Sequence, residues 1–450
     1  MSDPTAKTIV AISTPAGPGA VSMIRLSGPR AVDIADVATS GFATGRQARS
    51  AGHCRVIAAA GEPLDDGLLT VFPAPHSYTG ETCIEFTGHG GVLVTREVLN
   101  RFLECGATLA EPGEFTKRAF LNGRLDLTQA EGVMDLISAQ TRLSLRAARA
   151  QLDGHLGRKT TTIRDEILHI LAHLEAWIDF PDEDIDPQTG AALHTRISAA
   201  ENAIHRLLAT AEQGRILREG VRTVIFGAPN VGKSSLLNQL LGFERAIVSE
   251  IAGTTRDTIE ESINFHGIPL RLIDTAGVRD DTTDVIEAEG ISRTLQQIGE
   301  AGLLIEVMDG SMPRPPSRFE AARPAHHVMV LNKADLPEHP SWHGAPAVRI
   351  SCATGSGFNE FSQIVRDCLH ISETDWGEHA IAINARHQNS LRNAREALEA
   401  ALDLLGKSDL DPGLAAIELR EALDALGEIS GRVDTEDLLS VIFSSFCIGK

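Results

Sequence analysis

Apolar and polar positions along this chain follow two periods, and the period changes in blocks. Over residues 1–120 the pattern is mixed. Short apolar runs at Thr8–Ile12, Val21–Leu26, Leu68–Phe72 and Cys83–Phe86 predict strands. The first two are joined by the turn-rich Thr14-Pro-Ala-Gly-Pro-Gly19. Gly88-His-Gly-Gly91 predicts a turn, and Val92, Val94, Val98, Leu99 and Leu103 predict a helix after it. From about Leu121 the pattern is helical, with Leu127, Ala130, Val133, Met134 and Ile137 on one face. Further helices are predicted near 163–178 and from about 190 to 217.

Residues 221–370 alternate apolar strands (221–226, 269–273, 303–308, 327–332, 347–351) with helical patterns. That alternation predicts a doubly wound, mostly parallel α/β unit with its ligand at the strand C-termini. From about 376 the chain is helical again. Ile417, Leu419, Leu423 and Leu426 predict one stripe, and Asp434 the N-cap of a last helix running through Phe446. The fold class is thus multidomain α/β plus all-α. The expected domains are 1–120 (α/β), 121–217 (helical, first part), 218–375 (inserted α/β unit) and 376–450 (helical, second part). The two helical parts are expected to pack together, because short helices need tertiary burial.

Chemistry concentrates where the inserted unit begins. Val221–Phe226 leads into Gly227-Ala-Pro-Asn-Val-Gly232-Lys233-Ser234, the G-x-x-x-x-G-K-S phosphate-loop pattern. The glycines let successive N–H groups face an anion, and the following helix presents unpaired N–H groups. Lys233 can reach the β/γ-phosphates and the Ser234 hydroxyl can ligate Mg2+. Leu236, Leu237, Leu240 and Leu241 predict the helix. Three further motifs identify the base and complete the site. In Asn332-Lys333-Ala334-Asp335 the carboxylate can accept from guanine N1–H and its exocyclic amine, a pair that adenine lacks. Asp274-Thr275-Ala276-Gly277 supplies a carboxylate for Mg2+ through water and an N–H for the γ-phosphate. Gly253-Thr-Thr-Arg-Asp257 supplies a Mg2+-ligating threonine, Thr255. Val278 stands where many GTPases place a water-orienting glutamine. Water positioning and charge neutralisation must then come from elsewhere. Asn230 is either a ligand for a monovalent cation or a shaper of the loop.

Charge and composition narrow the partners. The net charge of −20 gives no bulk signal for nucleic acid, so such a contact needs a local basic patch. Arg142, Arg146 and Arg149 share one helix face, and Arg158, Lys159 and Arg164 follow. They read either as a grip on a phosphate backbone or as a solvated face with acidic neighbours. His89 is a ligand, a base or a turn residue. The acids of Asp179-Phe-Pro-Asp-Glu-Asp-Ile-Asp-Pro187 read as a metal site or a solvated loop. Six cysteines without C-x-x-C spacing suggest neither a disulfide framework nor a zinc site. No apolar run reaches the ~18 residues of a membrane span, and the N-terminus lacks a signal pattern, so a cytoplasmic protein with no membrane partner is expected.

Taken together, the layout resembles the MnmE/TrmE family of tRNA modification GTPases. The resemblance spans the whole chain, and its most specific feature is the terminal Phe446-Cys-Ile-Gly-Lys450 behind an inserted GTPase. Pro112-Gly-Glu-Phe-Thr-Lys-Arg-Ala-Phe-Leu-Asn122 and Asp179-Phe-Pro-Asp-Glu-Asp184 are also similar to the family pattern.

The family, with a flavin-containing partner, adds an aminomethyl or carboxymethylaminomethyl group to the wobble uridine of certain tRNAs. The resemblance implies a homodimer, a heterotetramer with that partner, and G domains that meet when GTP and K+ are bound. It implies K+ at Asn230 with backbone oxygens near Ser249, Ile251 and Thr254, Mg2+ at Ser234 and Thr255, and Glu287 as the water-positioning residue. GTP contacts fall on Asn230, Val231, Gly232, Lys233, Ser234 and Ser235. They continue through Ser249, Glu250, Ile251, Ala252, Gly253, Thr254 and Thr255, then Asp274, Thr275, Ala276 and Gly277. The base contacts are Asn332, Lys333, Ala334, Asp335, Ser351, Cys352 and Ala353.

Residues 1–120 would form a dimerisation domain, with Arg25, Glu85, Arg124 and Lys450 binding formyl-tetrahydrofolate, the one-carbon donor or ligand. Arg124 is often lysine in the family, and either cation suits a carboxylate. Ser351-Cys-Ala353 departs from the commoner Ser-Ala-Arg or Ser-Ala-Lys. Cys447 matches the cysteine required for modification, and is the only cysteine whose position looks exposed. As a thiolate it could attack the uracil ring or a folate adduct.

Two rivals remain. A switch-type RNA-binding GTPase would carry an appended KH or RRM module, and none is seen. A folate transferase with a merely regulatory GTPase sits poorly with the complete motif set.

Overall fold

The computed structural model describes residues 7–179, 190–242, 260–273, 298–315, 326–369, 383–406, 412–431, 439, 442–444 and 446–449. The chain forms two compact units. One comprises Met1–Met134, Gly157–Arg164 and Asp424–Lys450, the other Asp135–Leu156 and Asp165–Leu423.

The first unit is built on a six-stranded sheet of β1 (Ile9–Ile12), β2 (Val21–Ser27), β3 (Gly52–Ile57), β4 (Pro63–Phe72), β5 (Cys83–His89) and β6 (Thr108–Leu109), in the order β3-β4-β5-β2-β1-β6. All pairings are antiparallel except β1 with β6. One face is covered by helices Ala31–Thr39 and Val92–Glu104, whose Ile34, Ala35, Val98 and Phe102 pack on Ile24, Leu26, Leu69 and Phe86. The other face carries Arg25, Glu85 and His89. Both β3 and β6 go beyond the expected strands, and Gly88 and His89 end β5 instead of forming a turn. The predicted helix after Gly91 is present as Val92–Glu104, with Val92 exposed at its start.

The C-terminal segment returns to this unit. Phe443 and Phe446 pack with Leu127 and Ala130 of helix Leu127–Ser138. Ile137, predicted on the same stripe, is instead exposed although it shares the face of Ala130 and Val133, because it lies in the last turn, one residue before the helix ends at Ser138. Asp434 lies outside the described residues.

The second unit holds another six-stranded sheet. Its strands are β7 (Val221–Phe226), β8 (Glu260–Phe265), β9 (Ile268–Ile273), β10 (Leu303–Asp309), β11 (His326–Asn332) and β12 (Val348–Arg349), in the order β12-β11-β10-β7-β9-β8. Five strands are parallel and β8 is an antiparallel edge strand. Ile225, Leu270, Ile305 and Val330 are buried in one cluster with Leu236, Leu240 and, from helix Phe358–Cys368, Phe361 and Val365, while Val224, Ile273 and Leu304 pack with Ile298 in another. This is the doubly wound sheet expected from the apolar runs, with one strand added.

Helices Gly190–Ala209 and Ala385–Leu405 lie before and after this sheet in sequence, and pack along each other. The predicted helix from 190 to 217 is broken into Gly190–Ala209 and Ala211–Glu219, and that near 163 is a longer His155–Asp179. On helix Pro412–Ser430, Leu419 and Leu426 are buried, whereas Ile417 is exposed. Two residues before Leu419 is the wrong face of a 3.6-residue repeat. No described helix is long and apolar enough to cross a membrane.

Candidate functional site

Three loops leave the C-terminal ends of β7, β10 and β11, and a fourth follows β12. Gly227–Gly232 connects β7 to helix Lys233–Leu241. It turns sharply, with φ of +61° at Asn230 and +101° at Gly232. A Cβ at Gly232 would lie 2.1 Å from Asn332 Nδ2, and one at Gly227 would lie 2.2 Å from the Val307 carbonyl oxygen. Glycine is needed at both positions for close approach as well as for turning. Lys233 Nζ donates to the carbonyls of Gly227 and Ala228, both at 2.9 Å, and so lies across the loop. Val231 is buried, Asn230, Ser234 and Ser235 are exposed, and Ser234 and Ser235 occupy the first helical turn.

Asn332 ties the loops together. It is only 3% exposed. Its Nδ2 donates to Val231 O at 2.9 Å, and its Oδ1 accepts from Cys352 N at 3.1 Å. Ala334 N donates to Ile350 O at 3.0 Å. Ser351 Oγ donates to Asp335 Oδ1 at 2.5 Å, and this carboxylate is exposed. Ala353 is exposed beside them. Lys333, at φ +66°, reaches Asp309 Oδ2 at 2.6 Å. Burial pushes the Asp309 carboxyl up, but hydrogen bonds from Lys333 and Ser311 outweigh it and hold the group below its ordinary range.

Sequence reasoning had not included Asp309 or Gln239. Asp309 pairs in register with Asn332 across β10 and β11, a signal that exists only once the strands are aligned. Gln239 Nε2 donates to Cys352 O at 3.2 Å. Burial raises the Cys352 thiol above its ordinary value, so this cysteine is a packing group and a poor nucleophile. Ser249, Glu250, Ile251, Ala252, Gly253, Thr254, Thr255, Asp274, Thr275, Ala276, Gly277 and Glu287 lie outside the described residues, as does the acidic stretch after Asp179.

The N-terminal sheet carries a second constellation. Arg25 on β2 stands directly opposite Glu85 on β5. Its guanidinium forks onto Glu85 Oε1 at 2.8 and 3.0 Å and lies over the rings of Tyr78 (5.3 Å) and Phe115 (5.8 Å). A partly buried pair like this offers both a donor fork and an acceptor edge. Arg124 is exposed, and its Cγ lies 3.3 Å from where a Cβ on Gly80 would be. Cys447 is half-buried. Its carbonyl accepts from Gly113 N at 3.3 Å, and Gly449 O accepts from Ser13 Oγ at 3.1 Å. Cys105, Cys352 and Cys368 are equally half-exposed, so exposure does not single Cys447 out as the sequence had suggested. Lys450 lies outside the described residues.

His89 is neither a turn residue nor bound to a metal cluster among the described residues. Its Nδ1 lies 2.6 Å from Asp65 Oδ1, and its backbone N donates to Asp65 Oδ2 at 2.9 Å. The ring is 73% exposed and the Asp65 side chain 6%. The hydrogen bond and charge of Asp65 raise the His89 pKa above its ordinary value.

Family models match nearly the whole chain. One described as GTP-binding protein TrmE N-terminus covers residues 8–124, and one described as MnmE helical domain covers residues 127–447. The chain belongs to the MnmE/TrmE family. It is 52% identical to the tRNA modification GTPase MnmE of Akkermansia muciniphila over the full length of both chains. Its identity to the tRNA modification GTPase MnmE of Aquifex aeolicus is 43%, covering 98% of this chain and 99% of that one. Among solved structures, Toc33 from Arabidopsis thaliana, in complex with Mg2+ and GMPPNP, is 16% identical and covers 52% of this chain and 96% of its own. Its TM-score of 0.19 is too low to bear on the fold.

Proposed function

We propose that this tRNA modification GTPase couples GTP hydrolysis to addition of an aminomethyl or carboxymethylaminomethyl group to the wobble uridine of certain tRNAs, acting with a flavin-containing partner protein. The observation that carries the reading is the Asn332 side chain. It joins the phosphate loop at Val231 to the base loop at Cys352, so that one buried amide sets the distance between two halves of a nucleotide site.

In this reading the two Asp335 oxygens accept from guanine N1–H and the exocyclic amine, while the Ser351 hydroxyl steadies the carboxylate at Oδ1. The Cys352–Ala353 backbone faces guanine O6, which makes the departure from the commoner side chains there tolerable. Lys233 exchanges its two loop carbonyls for β/γ-phosphate oxygens. The hard oxygen donors suit the expected cations. Ser234 and Thr255 would hold Mg2+, which neutralises charge on the β/γ-phosphates. Asn230, with carbonyls near Ser249, Ile251 and Thr254, would hold K+, which supplies the positive charge that an arginine supplies in other GTPases. Glu287 would orient the attacking water, a task Val278 cannot perform.

The Arg25–Glu85 pair complements the amino-pyrimidinone edge of a pteridine, and with Arg124 and Lys450 would hold formyl-tetrahydrofolate, which supplies a one-carbon unit. Cys447 would act as the nucleophile toward the uracil ring. Residues 1–120 would serve homodimerisation and folate binding, 218–375 would be the G domain, and 121–217 with 376–450 the helical domain. Approach and separation of two G domains would drive the cycle.

Replacing Asp335 with Asn tests the nucleotide reading. An amide N–H matches the C2 oxygen of xanthine and opposes the guanine amine. GTP turnover should fall by on the order of 10²-fold or more, with XTP becoming the better substrate. Unchanged preference for GTP would contradict the assignment.

A further inference from the structure

We propose that the exposed Arg142–Arg146–Arg149 face of helix Arg142–Leu152 is a docking surface for the phosphate backbone of tRNA; this rests on the reading that the chain itself handles tRNA. The charge distribution is the first argument. Helix Arg142–Leu152 carries three arginines and no acid, in a chain whose net charge is −20. A positive segment that dense, against so acidic a background, concentrates attraction for polyanions locally.

Geometry is the second. Thr141 caps the helix through a capping box with Ser144. Ser144, Ala147, Ala148 and Gln151 are buried, which fixes the helix rotation and turns Arg142, Arg146 and Arg149 to solvent. At 1.5 Å per residue the three arginines span about 10 Å of helix. The rail is anchored: Ala147 belongs to the same buried cluster as Val231 and Leu236, and Leu143 closes under the turn at Gly267, where a Cβ would meet its Cδ1 at 2.8 Å.

Residue type is the third. Arginine forks match phosphate oxygens two at a time. Leu145 is the one large apolar side chain exposed among them, and the face has no aromatic anchor of the kind protein interfaces favour. The Arg149–Asp153 pair, at 3.2 Å, is more than a third exposed on both sides, so it holds Arg149 only weakly against a phosphate.

The test uses the full chain with Arg142, Arg146 and Arg149 all changed to Gln, a good helix former. Binding of fluorescein-labelled tRNA is followed by anisotropy from 50 to 200 mM salt. GDP affinity and thermal unfolding serve as fold controls. Affinity should fall about tenfold or more and the salt slope by about two, since each lost phosphate contact removes ~0.7–0.9 from it. Parent binding of tRNA with unchanged variant affinity and slope would overturn this face alone. Loss of binding to the flavin-containing partner, with tRNA affinity intact, would assign the face to that protein and also overturn the proposal. A parent that binds no tRNA, with or without that partner, would overturn the underlying reading as well.

Discussion

The side-chain amide of Asn332 donates to the carbonyl of Val231 across 101 residues of sequence, at 2.9 Å. The same amide accepts from Cys352 N, so one buried group joins three loops. Asn332→Ala leaves both backbone partners unpaired. It should cost about 1–3 kcal/mol of stability by denaturant titration and weaken fluorescent GDP binding sharply. Unchanged GDP affinity would mean that the loops hold their spacing without it.

Gly232→Ala is expected to be worse for binding than for folding. Its Cβ would meet Asn332 Nδ2 at 2.1 Å in a backbone with φ +101°. The strain is about 1–3 kcal/mol, and relieving it displaces the amide that spaces the loops. Isothermal titration with GDP should show little or no heat from a variant that still unfolds cooperatively.

Much of this was readable in sequence, and the exceptions have physical causes. Strands β7, β10 and β11 are central and parallel, buried on both faces, and so read as continuous apolar runs. Edge strand β8 alternates buried Ile263 and Phe265 with half-buried Ser262 and Asn264, and β3 alternates Cys54 and Val56 with His53 and Arg55, a pattern easily taken for loop. Motif spacing singles out the loops after β7, β11 and β12 because each motif is contiguous in sequence. Arg25–Glu85 and Asp65–His89 are cross-strand partnerships, invisible until register is known.

The Asp65–His89 pair predicts a pH dependence. Its hydrogen bond raises the His89 pKa above 6.5. The pair's contribution is therefore full below pH 6.5 and is lost as pH rises through the raised folded-state value. The His89 ring resonances should titrate above 6.5 by NMR, and return to the ordinary value in Asp65→Asn.

The terminal segment is held by Gly449, whose Cβ would lie 2.4 Å from Ile12 O at φ +95°. Gly449→Ala should dislodge the segment carrying Cys447. GTP turnover should persist while tRNA modification falls, matching Cys447→Ser. Retained modification in Cys447→Ser would exclude this thiol as the nucleophile.

The most direct measurement is nucleoside mass spectrometry of bulk tRNA from cells with this gene deleted, restored, or restored with the Asp335→Asn allele. Carboxymethylaminomethyl- and aminomethyl-uridines should vanish on deletion, return with the wild type, and stay absent with Asp335→Asn while GTP is the cellular nucleotide. Modified uridines unchanged by deletion would contradict the account at its centre.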